Sequence, residues 1–319
     1  MSKSSITIAT SAFNEEANIK RFLESVLSQK GNSFVIEKIL IVSDGSTDKT
    51  VELVESFKDT RIKIIDHKER RGQSFRLNEI YSILLSDILV RSDADVVYSH
   101  DHVIRDLIQP IIKDKKVGMC GGNPLPFNPV TFTEKAVRCS LDSYLPLRSK
   151  LNDGDNIYSA MGCLLAYRKE FIKKVKIPNI IANDMFSYFS CLSLGYKYKY
   201  VPSAIVKYRL PQTLQDHIKQ NIRFSSGPIR MKKYFPEDLI NRELHIPMRL
   251  KLRYRLEQLI KHPILSIYIY SVNSYCRYKA NKTAHNISAK WEIANSTKNK
   301  YGTEKTHSLN RDTCPQRRG

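Results

Sequence analysis

The sequence has no long apolar run, no paired-cysteine motif and little glycine, and each lack removes a class of protein. No apolar stretch reaches the roughly 20 residues that a spanning helix needs. The longest, Pro263 to Cys276, is broken by Ser266, Ser271, Asn273 and Ser274. The six cysteines (Cys120, Cys139, Cys163, Cys191, Cys276, Cys314) form no C-x-x-C and show no zinc-like spacing with histidine. Buried thiols in a reducing cytosol are the expectation, and Trp291, the single tryptophan, is expected to be a packing anchor. Only 12 glycines occur, and the first strand-like run is followed by neither G-x-G-x-x-G nor a P-loop. A nucleotide would therefore be held by carboxylates and a metal instead of a glycine cradle. The chain passes almost directly from Met1 into a strand-like run at Ile6, so no signal peptide and a cytoplasmic location are expected.

Basic residues are abundant and unevenly placed. The net charge is +20, of which residues 1–200 carry +5 and residues 201–319 carry +15. Such asymmetry points to a polyanion at the C-terminal part, either a membrane surface or nucleic acid. No zinc-finger spacing or RNA-recognition signature accompanies it, so nucleic acid is not expected.

The first half alternates strand and helix. Ile6–Ala12, Ile39–Val42, Ile62–Ile65 and Ile88–Arg91 read as short apolar strands. Between them, Ile19, Phe22, Leu23, Val26 and Leu27 recur at helical spacing, Thr50–Phe57 reads as a short helix, and Phe75, Leu77, Ile80, Tyr81 and Leu84 mark another. Repeated βα units imply an α/β fold with a mainly parallel sheet flanked by helices. Further on, Val117–Gly122 and Ala160–Tyr167 read as strands and Asn123–Pro129 as a loop near a cleft. Asp184–Leu194 and Leu214–Phe224 read as helices, the second ended by Gly227-Pro228. Arg249–Leu256 alternates at period 2 yet continues into Leu259-Ile260 at helical spacing, and helix is the expectation there.

Three polar loops follow predicted parallel strands: Ser11 to Glu16, Ser43 to Asp48, and Ser92 to Asp95. In open α/β sheets that edge is where ligands bind, so the loops should converge on one crevice. Asp93-Ala94-Asp95 puts two carboxylates at i and i+2, which on extended backbone face the same way. Mg2+ or Mn2+ prefers oxygen ligands and bridges carboxylates to phosphates. A D-x-D triplet alone is more often a solvated turn; the strand before it and the second loop at Asp44 reverse that reading. Ser99-His100-Asp101-His102 has the look of a metal cluster, but its position favours a helix start.

Asn14-Glu15-Glu16, Asp44-Gly45-Ser46 and Asp93-x-Asp95, in this order after their strands, resemble the nucleotide-binding half of the family-two glycosyltransferases, which have the GT-A fold. Gly162 to Arg168 resembles that family's acceptor-side strand and turn. Asn183-Asp184 stands where the family usually has Glu-Asp, and Gln220-Asn-Ile-Arg223-Phe224 resembles its Q-x-x-R-W motif with Phe for Trp. The resemblance covers about residues 4–230. It implies an inverting transfer of a sugar from a nucleoside-diphosphate-sugar to an acceptor hydroxyl, in polysaccharide or glycolipid synthesis, with a saccharide or lipid-linked acceptor. Asp44 would bind the base and ribose, Glu15 would line the base pocket, and Asp93 would contact the nucleotide. Asp95 would ligate Mg2+ or Mn2+ on the diphosphate, and Asp184 would deprotonate the acceptor hydroxyl. Arg223, with Gln220 a turn before it, would steady the leaving diphosphate, a task suited to a guanidinium fork.

Two departures stand out. The family's Asn-Gly-Lys at the third strand's exit is here Arg71-Gly72-Gln73, so Arg71 or Arg76 is expected to supply the missing positive charge. Asn183 replaces the usual Glu beside the base. A non-catalytic sugar-nucleotide-binding or assembly protein of the same fold is the alternative, and joint retention of Asp44, Asp93, Asp95 and Asp184 argues against it. The resulting organisation is a catalytic domain over 1–235 (nucleotide-binding half about 1–100, acceptor half about 101–235), a basic helical extension over 236–295, and a polar tail over 296–319 expected to be disordered. Tyr268, Tyr270, Tyr275 and Tyr278 among Lys and Arg suggest that Arg249 to Lys282 lies on an anionic membrane face; the competing expectation is a helical pair packed on the catalytic domain.

Overall fold

The protein is described by a computed structural model over residues 3–284 and Ser296; Trp291, Cys314 and the rest of the tail lie outside the described residues. The strands are β1 (Ser4–Ala12), β2 (Phe34–Asp44), β3 (Ile62–His67), β4 (Ile88–Ser92), β5 (Val97–Tyr98), β6 (Val117–Pro126), β7 (Leu164–Arg168) and β8 (Lys197–Tyr208). The helices are α1 (Ile19–Leu27), α2 (Thr50–Glu55), α3 (Gln73–Ile83), α4 (Val103–Lys113), α5 (Phe132–Asp142) and α6 (Leu145–Lys150), then α7 (Lys169–Ile172), α8 (Asn183–Ser193), α9 (Leu214–Met231), α10 (Glu237–Glu243), α11 (Met248–Lys261) and α12 (Pro263–Thr283).

All eight strands join one mixed sheet in the order β3-β2-β1-β4-β7-β6-β8-β5. The pairs β2·β3, β1·β2, β1·β4 and β6·β8 are parallel, whereas β7 runs antiparallel between β4 and β6. Helices cover both faces, so the central strands are buried on both sides and read as continuous apolar runs. One core gathers Ile6, Ile8, Ile39, Ile41 and Val90 with Phe22 and Leu23 of α1 and Ile104 and Leu107 of α4. The other gathers Leu40, Val42 and Leu89 with Leu77 and Ile80 of α3 and Phe186 and Phe189 of α8.

Three expectations need correction. β6 continues through Asn123 to Pro126, where a loop was expected, because the chain shifts register after Gly121 and pairs again with Ile205–Tyr208. The strand expected from Ala160 starts only at Leu164; Ile157–Ser159 is a 3-10 turn, and the residues between form a turn. Gly227-Pro228 does not end α9, which runs to Met231. A Cβ on Gly227 would lie 3.0 Å from the Ala182 Cβ, so this glycine permits close approach to the start of α8, and packing outweighs the bond lost at Pro228. The strand Lys197–Tyr208 was not read at all. The histidine cluster behaves as expected: His102 precedes α4, and the His100 ring bonds the Ser203 carbonyl and the His102 N–H. Cys120, Cys139, Cys191 and Cys276 are buried free thiols, as expected, and Cys163 is half-buried.

The C-terminal helices pack on the rest of the chain through one face. Ile269 of α12 joins Ala136 and Val137 of α5 and Leu210 in a small core. The His217 Nε2 of α9 bonds Asn273 Oδ1 of α12 at 2.9 Å, Asn221 bonds the same oxygen, and Asn273 Nδ2 donates to Ser140 Oγ at 3.0 Å. Among the described residues no helix is long and apolar enough to cross a membrane.

Candidate active site

The first two loops are tied together by their own side chains. Asn14 takes left-handed backbone, φ 53°, which Asn tolerates better than most residues. Its Oδ1 accepts from the Thr47 N–H at 2.8 Å and its N–H donates to Ser46 Oγ. The Glu15 N–H donates to Thr50 Oγ1 at 2.7 Å, and Glu15 Oε2 accepts from Asn18. Across the gap the Glu16 N–H donates to Asp48 Oδ2, and Glu16 Oε2 accepts from the Lys49 N–H.

Asp44 ends β2 and is nearly fully buried. Its Oδ1 accepts from the Arg71 N–H at 2.9 Å and from Arg76 Nε at 2.7 Å, and its Oδ2 accepts from the Gly72 N–H at 2.8 Å. These three bonds leave at most about one of the four lone-pair sites of a carboxylate for a ligand. Gly72 can accept this arrangement because its φ is 98°, outside what side-chain-bearing residues readily adopt. Neither arginine offered for the missing charge is directed to Asp93. Arg76 is committed to Asp44 and the Glu69 carbonyl, and the Arg71 guanidinium stacks on the Phe75 ring at 4.8 Å.

The third loop gathers the remaining candidates. Asp93 Oδ1 accepts from Arg91 at 3.1 Å and from Gln73 Nε2 at 3.2 Å, and the Asp93 N–H donates to the Cys163 carbonyl. Burial pushes the Asp93 carboxyl upward and the Asp184 carboxylate adds to this, against the pull of Arg91, Gln73 and Arg223. Asp95 is half-buried two residues on. Asp184 sits in the first turn of α8; its Oδ2 accepts from the Gly162 N–H at 3.1 Å, and Ala182 before it is left-handed, φ 62°. Across the edge, α9 supplies half-buried Gln220 and Arg223. Burial lowers the Arg223 guanidinium, while the charges of Asp93, Asp184 and Asp95 pull it back. Asp93, Asp95, Asp184 and Arg223 are thus brought together, while Asp44 and Glu15 belong to the neighbouring loop pair and Arg71 lies on the outer surface. Sequence reasoning missed Arg91, read as a strand end, and Gln73, read only as a lost lysine.

Among the described residues no three His, Cys, Asp or Glu side chains converge as a metal cage. Two carboxylates at a strand end suit Mg2+ or Mn2+ nevertheless, because these ions are commonly held through one or two carboxylates with phosphate oxygens completing the shell.

A carboxylate-lined edge on a mixed, mostly parallel sheet, with no glycine cradle, defines a GT-A glycosyltransferase fold. The chain belongs to glycosyl transferase family 2, whose profile matches residues 7–176. It is 27% identical over 276 residues to a poly-beta-1,6-N-acetyl-D-glucosamine synthase of Staphylococcus aureus, covering 85% of this chain and 64% of that protein. It is 25% identical over 237 residues to the Staphylococcus epidermidis enzyme of that name, covering 72% and 57%. The chain therefore spans about three fifths of the length of these relatives. Among solved structures it resembles the mannosyltransferase PcManGT from Pyrobaculum calidifontis in complex with GDP-Man and Mn2+, with TM-score 0.56, 16% identity, and 90% and 77% of the two chains covered. It also resembles glucosyl-3-phosphoglycerate synthase from Mycobacterium tuberculosis in complex with Mn2+, UDP and phosphoglyceric acid, with TM-score 0.51, 15% identity, and 73% and 80% covered. At these identities the structural likeness speaks for the fold alone.

Proposed function

We propose that the chain transfers a sugar from a nucleoside-diphosphate-sugar to an acceptor hydroxyl with inversion, in the synthesis of a polysaccharide or glycolipid. The observation that carries this reading is that Asp93 and Asp184 share supports: Gln73 bonds Asp93 and Asn183, and Gly162, packed on the Arg91 that bonds Asp93, donates to Asp184. Asp184 is the base: its Oδ2 is held by the Gly162 N–H, and a fixed carboxylate can take the acceptor proton as the hydroxyl attacks the anomeric carbon. Attack from the side opposite the leaving diphosphate inverts that carbon. Arg223 faces the developing diphosphate charge, and Gln220 supports it from the preceding turn of α9. Asp93 contacts the nucleotide, Asp95 and Asp93 would hold Mg2+ or Mn2+, and that ion when bound would neutralise charge on the diphosphate. The pair of loops around Glu15 and Asp44 lines the base pocket, with Asp44 fixing the Arg71-Gly72 backbone. The domain boundaries at about 235 and 295 are part of the same proposal.

The extension completes it. Met248, Leu252, Leu256, Ile260, Ile264 and Ile267 are each at least half exposed and follow one another at three- or four-residue spacing along α11 and α12. Arg249, Lys251 and Arg253 flank the stripe. We place this face on an anionic membrane surface, where shallow apolar insertion and basic residues act together. That location suits a lipid-linked or membrane-extruded saccharide acceptor.

The decisive experiment is Asp184→Asn after a screen of nucleotide-sugars with Mn2+ has identified the donor. Donor affinity should change little while turnover falls by roughly 10²-fold or more, the range for a positioned base. NMR of the wild-type product should show an inverted anomeric centre. Retention of configuration, or loss of donor binding at unchanged turnover, would remove Asp184 from this role.

A further inference from the structure

We infer that Arg91, Gln73 and Asn183 form one positioning unit beneath the carboxylates, in which a buried guanidinium on β4 takes over the charge that the loop before α3 lacks. The inference rests on the assignment of Asp93 and Asp184 to the site proposed above.

β4 is buried along its whole length, Arg91 included, at 2% exposure. A charged residue is rarely that deep unless paired. Its Nη2 donates to Asp93 Oδ1 at 3.1 Å, and among the described residues no acceptor reaches Nε or Nη1. Room for the guanidinium comes from Gly162: a Cβ there would fall 2.7 Å from Arg91 Nη1. The same Gly162 donates its N–H to Asp184. Arg91 therefore bonds Asp93 on one side and packs on the other against Gly162, whose N–H holds Asp184.

Gln73 joins the Asp93 loop to the start of α8. Its Nε2 donates to Asp93 Oδ1 at 3.2 Å, and its Oε1 accepts from Asn183 Nδ2 at 2.9 Å. The two positions at which the sequence departs from the family pattern, lysine to Gln73 and glutamate to Asn183, are thus hydrogen-bonded to each other. In this chain both positions are neutral amides, and they bond each other. Asp93 keeps a cation because Arg91 reaches it from the strand. None of these three side chains needs to touch substrate; they fix the orientation of those that do.

The test uses the full chain with Arg91→Met, Gln73→Lys, Asp93→Asn and the doubles R91M/Q73K and R91M/D93N, compared by thermal and urea unfolding. R91M should lower the midpoint by several degrees, because it strands the Asp93 carboxylate. The loss should shrink clearly in the D93N background. Q73K should raise the midpoint of R91M while leaving or lowering that of the wild type. A second arm measures Mn2+ with UDP, and with GDP in parallel, by calorimetry: R91M should weaken binding at least tenfold, and Q73K should recover at least threefold of that. Additive effects in both cycles, with Q73K acting alike whether Arg91 is present or not, overturn the inference. Should R91M not fold, Arg91→Lys and Gly162→Ala perturb the same contact more gently and enter the same cycles. A wild type that binds neither nucleotide counts against the proposed function, and the unfolding cycles then decide the positioning unit alone.

Discussion

Asp44→Ala is expected to damage the protein through stability before it damages any nucleotide contact. The side chains of Asp44 and Arg76 are 6% and 5% exposed and meet at 2.7 Å, so solvent screening is slight. Removing the carboxylate leaves the Arg76 guanidinium with the Glu69 carbonyl and a longer ion pair to Glu79, 3.6 Å away. Breaking a buried pair by deleting one partner costs about 3–5 kcal/mol. The Arg71 and Gly72 N–H groups also lose their acceptor, at about 1–3 kcal/mol each if they stay buried, but the loop can open to water and recover much of this. A total near 3–5 kcal/mol is therefore the expectation, equivalent to a Tm drop of about 6–20 °C for a domain of this size. Urea unfolding of D44A, R76M and the double variant measures it. The double should be more stable than the sum of the singles by about 1–3 kcal/mol, as for residues in contact. If D44A unfolds within about 1 kcal/mol of wild type, or if the two changes add, the buried pair is not what holds the Arg71-Gly72 turn.

Three further outcomes are expected. Asp95→Asn should abolish most metal-dependent turnover, since an amide is a poor ligand for a hard cation, and EDTA should do the same to the wild type; full activity in EDTA would count against the metal. The Ile260→Glu/Ile264→Glu variant should lose salt-sensitive flotation with anionic vesicles, whereas equal indifference of the wild type to anionic and neutral vesicles would remove the membrane face. His217 is buried and its pKa is held below the ordinary value, chiefly by burial and against the bond to Asn273. The unfolded chain then binds more protons than the folded one, so stability should fall as pH drops below about 6.5 and level off beneath the folded pKa. His217→Gln should flatten that slope in pH-dependent urea unfolding.

Much of the nucleotide-binding half was legible because its signals are local. Ile39–Val42 of β2 and Ile88–Val90 of β4 are short, fully buried apolar runs, β1 is buried over Ile6–Thr10, and α1 repeats its buried residues at three- and four-residue steps. The carboxylates at their carboxyl ends could be named from that alone. What escaped depends on packing between distant segments. The alternation Lys197–Tyr208 carries Pro202 and basic residues that hide a strand, and its pairing with β6 is what made it one. Gly227-Pro228 has the form of a helix stop, and only the approach to Ala182 explains why α9 continues. Arg91 has no sequence signal of its own. It sits in a strand that otherwise reads as core, and its partners Asp93 and Gly162 give it meaning only once β4 and the turn before β7 are side by side.

Charge balance ties these pieces to the chemistry. Asp93, Asp95 and Asp184 bring three carboxylates to one edge, and Arg91 and Arg223 bring two guanidinium groups, one beneath and one across. Without the arginines, three carboxylates so placed would repel and at least one would take up a proton. With them the edge is still net negative, and a nucleoside-diphosphate-sugar adds more negative charge. On the proposed function, binding the donor therefore calls for a compact cation at the edge itself, with Asp93 and Asp95 after β4 as its proposed ligands. On this argument nucleotide affinity should rise steeply with Mn2+ or Mg2+, whereas spermidine, a diffuse polycation, should not substitute. Equal support by the polyamine would mean that bulk charge, and not coordination at Asp95, governs donor binding.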